Sequence, residues 1–81
     1  MEFREAVLTV LREEEKPLHW TVIQDLALKR GYLDPFTQTD IRQNLLKALA
    51  EAAKNGDIQK ESAGVYALRA GASPGRVGSE T

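Results

Sequence analysis

Apolar residues recur every three or four positions in three stretches of the chain, a spacing that predicts three amphipathic helices. The first stretch covers residues 2–15, the second covers about 20–30, and the third runs from Thr37 to Gly56. The predicted inward positions are Phe3, Ala6, Val7, Val10 and Leu11; then Val22, Ile23, Leu26 and Ala27; then Ile41, Leu45, Leu49, Ala52 and Ala53.

Residues that cap or break helices set the predicted boundaries. Pro17 ends the first helix because proline lacks a backbone N–H and restricts the residue before it. His19 stands at the position of an N-cap for the second helix. Thr37 or Thr39 is expected to cap the third helix, and Gly56 to end it in the left-handed conformation.

Several apolar residues lie outside these stripes. The connection between the second and third helices is unusually apolar for a loop, and Tyr32, Leu33 and Phe36 are expected to fold back into the gap between helices. Leu28 projects away from its stripe, and Leu8 lies at the edge of the first one. Both leucines are candidates for exposed contacts, although single surface leucines are ordinary.

After Gly56 the period changes from helical to alternating. Residues 57–61 and 65–69 alternate, and residues 62–64 can form the turn between them, which predicts a two-stranded β-hairpin. Leu18 is expected to form a one-residue bridge to this small sheet. The hairpin positions expected to face the helices are Ile58, Tyr66 and Leu68.

These elements together predict a mainly α, α+β domain over residues 1–69, of the winged helix-turn-helix type. Residues 70–81 are small, polar and rich in glycine and proline, which favours a disordered tail or a linker. The chain has no cysteine, so neither a disulfide nor a thiolate metal site is expected. No apolar run is long enough to span a membrane, and a cytoplasmic or nucleoid-associated location is expected.

Charge is distributed unevenly along the chain. The net charge of −1 is not that of a protein that binds nucleic acid by bulk charge. Residues 1–15 carry two basic and five acidic residues, whereas residues 16–70 carry eight basic and six acidic ones. The acidic run from Glu13 to Glu15 is interpreted as a solvated helix end, with a partner-docking patch as the alternative. The sequence is therefore compatible with a modest basic face on the second half of the chain, away from an acidic first helix.

The order of elements is that of a winged helix, and three segments resemble the HARE-HTH winged-helix family. The segment Lys16-Pro-Leu-His-Trp-Thr-Val-Ile resembles the "plh…eI" start of these domains, and Gly64-Val-Tyr-Ala-Leu resembles their closing G-x-Y-x-L; the opening Phe3-Arg-Glu-Ala-Val also fits. The resemblance runs from about Phe3 to Arg69. The family includes the N-terminal domain of the bacterial RNA polymerase delta subunit. The resemblance implies DNA binding, or an adaptor role in DNA-associated proteins.

The outer face of the third helix supplies the main candidate contacts to double-stranded DNA. An α-helix fits the major groove, where glutamine can pair with adenine and lysine can meet phosphate or guanine. Asp40 and Glu51 share this side and would repel phosphate, while Arg42 is equally expected to pair with an acid of the first helix. The candidates on this face are Thr39, Gln43, Lys47 and Lys54, with the small Ala50 allowing close approach.

The hairpin supplies two further candidates, Lys60 and Arg69, which would touch backbone phosphates and position the domain without reading sequence. His19 is the only histidine, and it has no second histidine or cysteine with which to form a zinc or nucleophile site. No enzyme activity, cofactor, metal or small-molecule substrate is therefore expected. The competing hypothesis is a protein-interaction module on the same scaffold, which binds another protein or a fused domain.

Overall fold

The computed structural model describes residues 1–69. The predicted tail or linker over residues 70–81 lies outside the described residues. In chain order the elements are α1 (Phe3–Glu14), β1 (Leu18–His19), α2 (Trp20–Lys29), α3 (Ile41–Lys54), β2 (Ile58–Ser62) and β3 (Val65–Leu68). The three predicted helices are therefore present, and their ends lie within a few residues of the predicted ones.

The helical stripes meet in one core, because each helix buries the side that its periodicity indicates. The fully or nearly fully buried residues are Ala6, Val7, Val10, Leu11, Leu18, Ile23, Ala27, Leu33, Leu45, Ala48, Leu49, Ala52 and Ile58. Val22 was predicted to face inward and is 41% exposed, since α2 buries only the narrow line of Ile23 and Ala27. Ala48 is buried although the predicted stripe omitted it.

The sheet has three antiparallel strands in the order β1-β3-β2. The prediction of two strands is therefore incomplete, because β1 adds a third strand to the β2–β3 pair. The expected one-residue bridge at Leu18 is a two-residue strand that pairs Leu18 with Tyr66 and His19 with Val65. The α+β class is confirmed. The pairing matters because β1 directly precedes α2 and so ties the hairpin to the start of that helix.

Two of the predicted helix ends are confirmed. The backbone N–H of Thr21 donates to Nδ1 of His19 at 3.3 Å, so His19 caps α2. Gly56 follows α3 with φ of +87°, and the N–H of Asp57 reaches the carbonyl of Ala52 at 2.9 Å. This left-handed glycine closes the last turn of α3 and reverses the chain into β2.

The predicted cap at the start of α3 is wrong. The N-cap residue is Asp40, which has φ of +49° and no side-chain bond to the helix. Thr37 and Thr39 lie in the preceding loop, and the carbonyl of Thr39 accepts from Nδ2 of Asn44 at 3.0 Å. The helix thus begins at Ile41, and neither threonine is at its N-cap position.

The loop between α2 and α3 buries Leu33 and half-buries Tyr32, as predicted, but Phe36 is 95% exposed. A tight turn holds Phe36 outward. Its N–H donates to Oδ1 of Asp34 at 2.9 Å, and the N–H of Gln38 donates to the carbonyl of Asp34, also at 2.9 Å. Asp34 thus accepts hydrogen bonds from two backbone N–H groups of the turn, and in this turn the phenyl ring points into solvent.

The two leucines proposed as exposed contacts are not exposed. Leu8 and Leu28 are half-buried and pack against the core cluster. Both lie at the margin of their stripes, where neighbouring elements still cover them. No helix within residues 1–69 is long and apolar enough to cross a membrane.

Candidate nucleic-acid interface

Ion pairs divide the basic residues into two groups. Arg4 of α1 meets Asp57 at 2.7 Å, although 53 residues separate them in sequence. Arg30, which follows α2, meets Glu13 and Glu14 at 2.6 Å each. The acidic end of α1 is therefore not simply solvated, since two of its acids hold the end of α2.

This acidic cluster also includes a phenol and shifts the pKa values of its members. Tyr32 donates its hydroxyl to Glu13, and this bond lowers the pKa of the Glu13 carboxyl and raises that of the Tyr32 phenol. The hydrogen bond to Glu14, followed by the one to Glu13, raises the pKa of the Arg30 guanidinium. The cluster joins α1, α2 and the following loop on a surface that carries no predicted DNA contact.

The second group of basic residues makes no ion pair with any described residue. It includes every cation from the start of α3 to the end of the described chain, and all of these side chains are exposed: Arg42, Lys47, Lys54, Lys60 and Arg69. The same part of the chain holds three acids, and Asp57 among them is already paired with Arg4. Residues 41–69 thus present a net positive surface.

On α3 itself the structure brings together most of the predicted residues. Gln43, Lys47 and Lys54 are exposed, as is Ala50, on the side opposite the buried Leu45. Thr39 is exposed but precedes the helix, so it borders this face rather than lying on it.

Lys47 has acidic neighbours. It lines an open groove between the first turn of α1 and α3, together with Arg4, Glu2 and Glu51. The groove is mixed in charge, which reduces the positive potential on this side of α3. Contacts of Lys47 with an anion therefore compete with two nearby carboxylates.

The two hairpin candidates lie apart. Lys60 is on β2 opposite Tyr66, and its side chain is exposed. Arg69 follows β3, and its backbone N–H donates to the carbonyl of Asp57 at 3.1 Å. Its guanidinium lies beside Gly56, where an added Cβ would be 3.6 Å from Nη1. Arg69 is therefore placed near the C-terminal end of α3, where Lys54 also lies.

The sequence allowed an ion pair between Arg42 and an acid of α1, but the structure shows none. The Cζ atom of Arg42 lies 5.9 Å from the centroid of the Trp20 ring, within the range of a cation–π interaction. The Trp20 side chain is half-buried against the core, and the backbone N–H of Trp20 donates to the carbonyl of Gly64 at 2.8 Å. No spacing signal in the sequence links residues 20 and 42, because the packing of α2 against α3 creates this contact.

His19 has a structural role at the same junction. Its ring caps α2 and lies 5.8 Å from that of Trp20, and a Cβ added to Gly64 would approach Nε2 at 2.7 Å. Within residues 1–69 no group of three His, Cys, Asp or Glu side chains could hold a metal ion.

Comparison with known proteins adds no assignment. No family model matches the chain, and neither a curated protein nor a solved structure matches it. The resemblance to the HARE-HTH family therefore stays a prediction from the quoted motifs.

Proposed function

We propose that residues 1–69 form a winged helix-turn-helix module that binds double-stranded DNA through α3 and the β2–β3 hairpin. The order of helices and strands supports this fold type, with β1 pairing to β3 beside a short hairpin. One observation carries the proposed function. All five cations from Arg42 to Arg69 are exposed and make no ion pair with a described residue, and only two unpaired acids, Glu51 and Glu61, share that part of the chain.

In this proposal the outer face of α3 enters the major groove, which is wide enough for a helix. Gln43 and Lys47 lie on the first half of that face and are the candidates for base edges. Lys54 and Arg69 flank the end of α3, and Lys60 lies on β2, where each would contact phosphate.

The charge balance sets the expected strength of binding. Three phosphate contacts, from Lys54, Lys60 and Arg69, would give a salt dependence with a slope of about −2.7 in log K against log salt. Asp40 and Glu51 reduce the attraction, so a single domain is expected to bind weakly and with strong salt sensitivity. Useful affinity at physiological salt then requires a second copy or a fused domain. We propose a role in transcription or another DNA-associated process, in the cytoplasm or on the nucleoid.

Fluorescence anisotropy with a labelled duplex tests the proposal, with salt varied between about 50 and 200 mM. Wild type is expected to bind at low salt. The double variant Lys47→Gln with Lys54→Gln is expected to bind more weakly, with a salt slope reduced by about 1 through the lost phosphate contact of Lys54.

A matched control removes two exposed cations from outside the proposed face, by Arg12→Gln with Lys29→Gln. It changes the net charge equally and should leave the slope unchanged. If the wild type does not bind at high micromolar concentration, or if both double variants behave alike, the proposal is wrong.

Phe36 favours a second candidate function, a protein-interaction module. An aromatic ring held outward by a hydrogen-bonded turn is typical of an anchor that enters a partner's pocket. The neighbouring acid Asp34 favours a protein pocket with a basic rim over an anionic partner. A partner retained by wild type and lost with Phe36→Ala, with DNA affinity unchanged in that variant, would support this function.

A further inference from the structure

The contact between Trp20 and Arg42 joins the first turns of α2 and α3. Trp20 is the first residue of α2 and Arg42 the second residue of α3. The indole packs against the core, and the backbone N–H of Trp20 donates to the carbonyl of Gly64, which fixes the start of α2. The indole therefore provides a fixed surface on which the guanidinium rests, with 5.9 Å from Cζ to the ring centroid.

This arrangement differs from those of the other arginines that bridge helices or loops. Arg4 and Arg30 use the N–H groups of their guanidinium edges on carboxylates. Arg42 makes no ion pair with a described residue, so its guanidinium N–H groups stay available to other acceptors. The contact with the Trp20 ring also restricts the long side chain before any ligand arrives, which lowers the entropy lost on binding.

We infer that Arg42 reads a guanine in the DNA that α3 contacts, with Trp20 as its positioning residue. The early residues of a recognition helix reach base edges in the major groove. The N7 and O6 atoms of guanine are two acceptors spaced for the two parallel N–H groups of an arginine. This inference rests on the proposed function. It adds a specificity contact that the positions Gln43 and Lys47 do not supply.

Arg42→Lys is the decisive variant because it keeps the positive charge and removes the planar pair of donors. Wild type and variant are each used to select duplexes from a pool with a randomised centre, and the bound fractions are sequenced. Wild type should prefer guanine at one position by about tenfold or more. Arg42→Lys should lose that preference, while its salt slope on the unselected pool stays unchanged.

Two further variants separate specificity from folding. Trp20→Phe keeps an apolar ring in the core but offers a weaker surface for a cation, so it should reduce the guanine preference several-fold without altering the salt slope. Arg12→Lys, on the exposed side of α1, is the matched control and should change neither quantity. Trp20 is the only tryptophan, so its emission reports directly whether Arg42→Lys changes the ring's surroundings.

The outcomes are distinguishable. If the wild type binds the pool and Arg42→Lys keeps the same guanine preference, Arg42 contacts phosphate at most and the inference is overturned, while the proposed function stands. If the wild type binds the pool but selects no guanine at any position, the inference is likewise overturned and the proposed function stands. If the wild type retains no duplex at low salt, both the proposed function and the inference fail.

Discussion

Tyr32 donates its phenolic hydroxyl to the carboxylate of Glu13, and this bond ties the loop after α2 to the last turn of α1. The same carboxylate accepts from Arg30 at 2.6 Å, so one acid holds two groups that both follow α2 in the chain. The sequence places these residues in separate segments, and only the packing of α1 against α2 brings them together.

This bond predicts how stability depends on pH. Because folding lowers the pKa of Glu13, its contribution is fully present above the unfolded value near 4.5 and is lost as the pH falls through the folded value. The pKa of Tyr32 is raised above 10.0, so the phenol stays protonated throughout the acid range. Urea unfolding should therefore show a larger difference between wild type and Tyr32→Phe near about pH 7 than near about pH 3.

Tyr66→Phe is the matched control for this prediction, since it removes a phenol from β3, outside the cluster. Its effect on the urea midpoint should not vary across the same pH range. Equal pH dependence in the two variants would show that Glu13 and Tyr32 do not stabilise one another.

Gly64→Ala is expected to destabilise the domain more than Gly31→Ala. Both glycines have positive φ, +74° and +78°, so each substitution costs about 1–2 kcal/mol of backbone strain. A Cβ at residue 64 would also approach Nε2 of His19 at 2.7 Å, whereas one at residue 31 meets nothing within 4 Å. Moving the His19 ring breaks the cap of α2, which adds about 1 kcal/mol.

Urea denaturation of both variants measures this difference. Repeating the Gly64→Ala measurement in a His19→Ala background isolates its source. Most of the excess should disappear there, because the cap has already been lost. An unchanged excess would place the clash with the backbone or with Trp20 instead of with His19.

Phe36 and Leu33 lie three residues apart, yet their replacements should have very different effects. Leu33 is 1% exposed and Phe36 is 95% exposed. Leu33→Ala should lower the free energy of unfolding by about 2–5 kcal/mol, and Phe36→Ala by less than about 0.5 kcal/mol. Thermal unfolding followed by circular dichroism compares them. A loss of several kcal/mol from Phe36→Ala would mean that the ring is packed in solution.

Glu51→Gln should tighten binding to duplex DNA. Glu51 lies on the exposed side of α3 and lines the same groove as Lys47, so its charge opposes the phosphates that α3 would approach. We expect roughly a twofold to fivefold gain at low salt that shrinks as screening increases. Anisotropy against Glu5→Gln, an exposed acid of α1, provides the control. Equal gains in both variants would indicate a net-charge effect without a specific face.

Helical periodicity and glycine chemistry were sufficient to predict most of the scaffold. The stripe of α3 predicted that Leu45 and Leu49 would be buried, and Gly56 indicated the end of that helix. These signals are local, because the neighbours on one helix face are three or four residues apart and a reversal needs one residue with positive φ. The cap at His19 was predicted for the same reason.

The candidate site was predicted less well. Gln43, Lys47 and Lys54 lie together on α3 as expected, because helix geometry alone places them there. The contact between Arg42 and Trp20 was not predicted, since the two residues are on different helices. Phe36 was placed inside, because apolarity indicates a preference for burial but not whether the loop can turn inward.

The sequence by itself determined which residues form helices, where those helices end and which of their faces are apolar. The tertiary structure alone decided which cations are neutralised, as when Arg4 meets Asp57 and Arg30 meets Glu13, and it extended the expected bridge at Leu18 to the two-residue strand β1. The physical reason is range. Backbone conformation follows from neighbours within one turn, whereas the partner of a long charged side chain depends on which distant segments the core brings within a few ångströms.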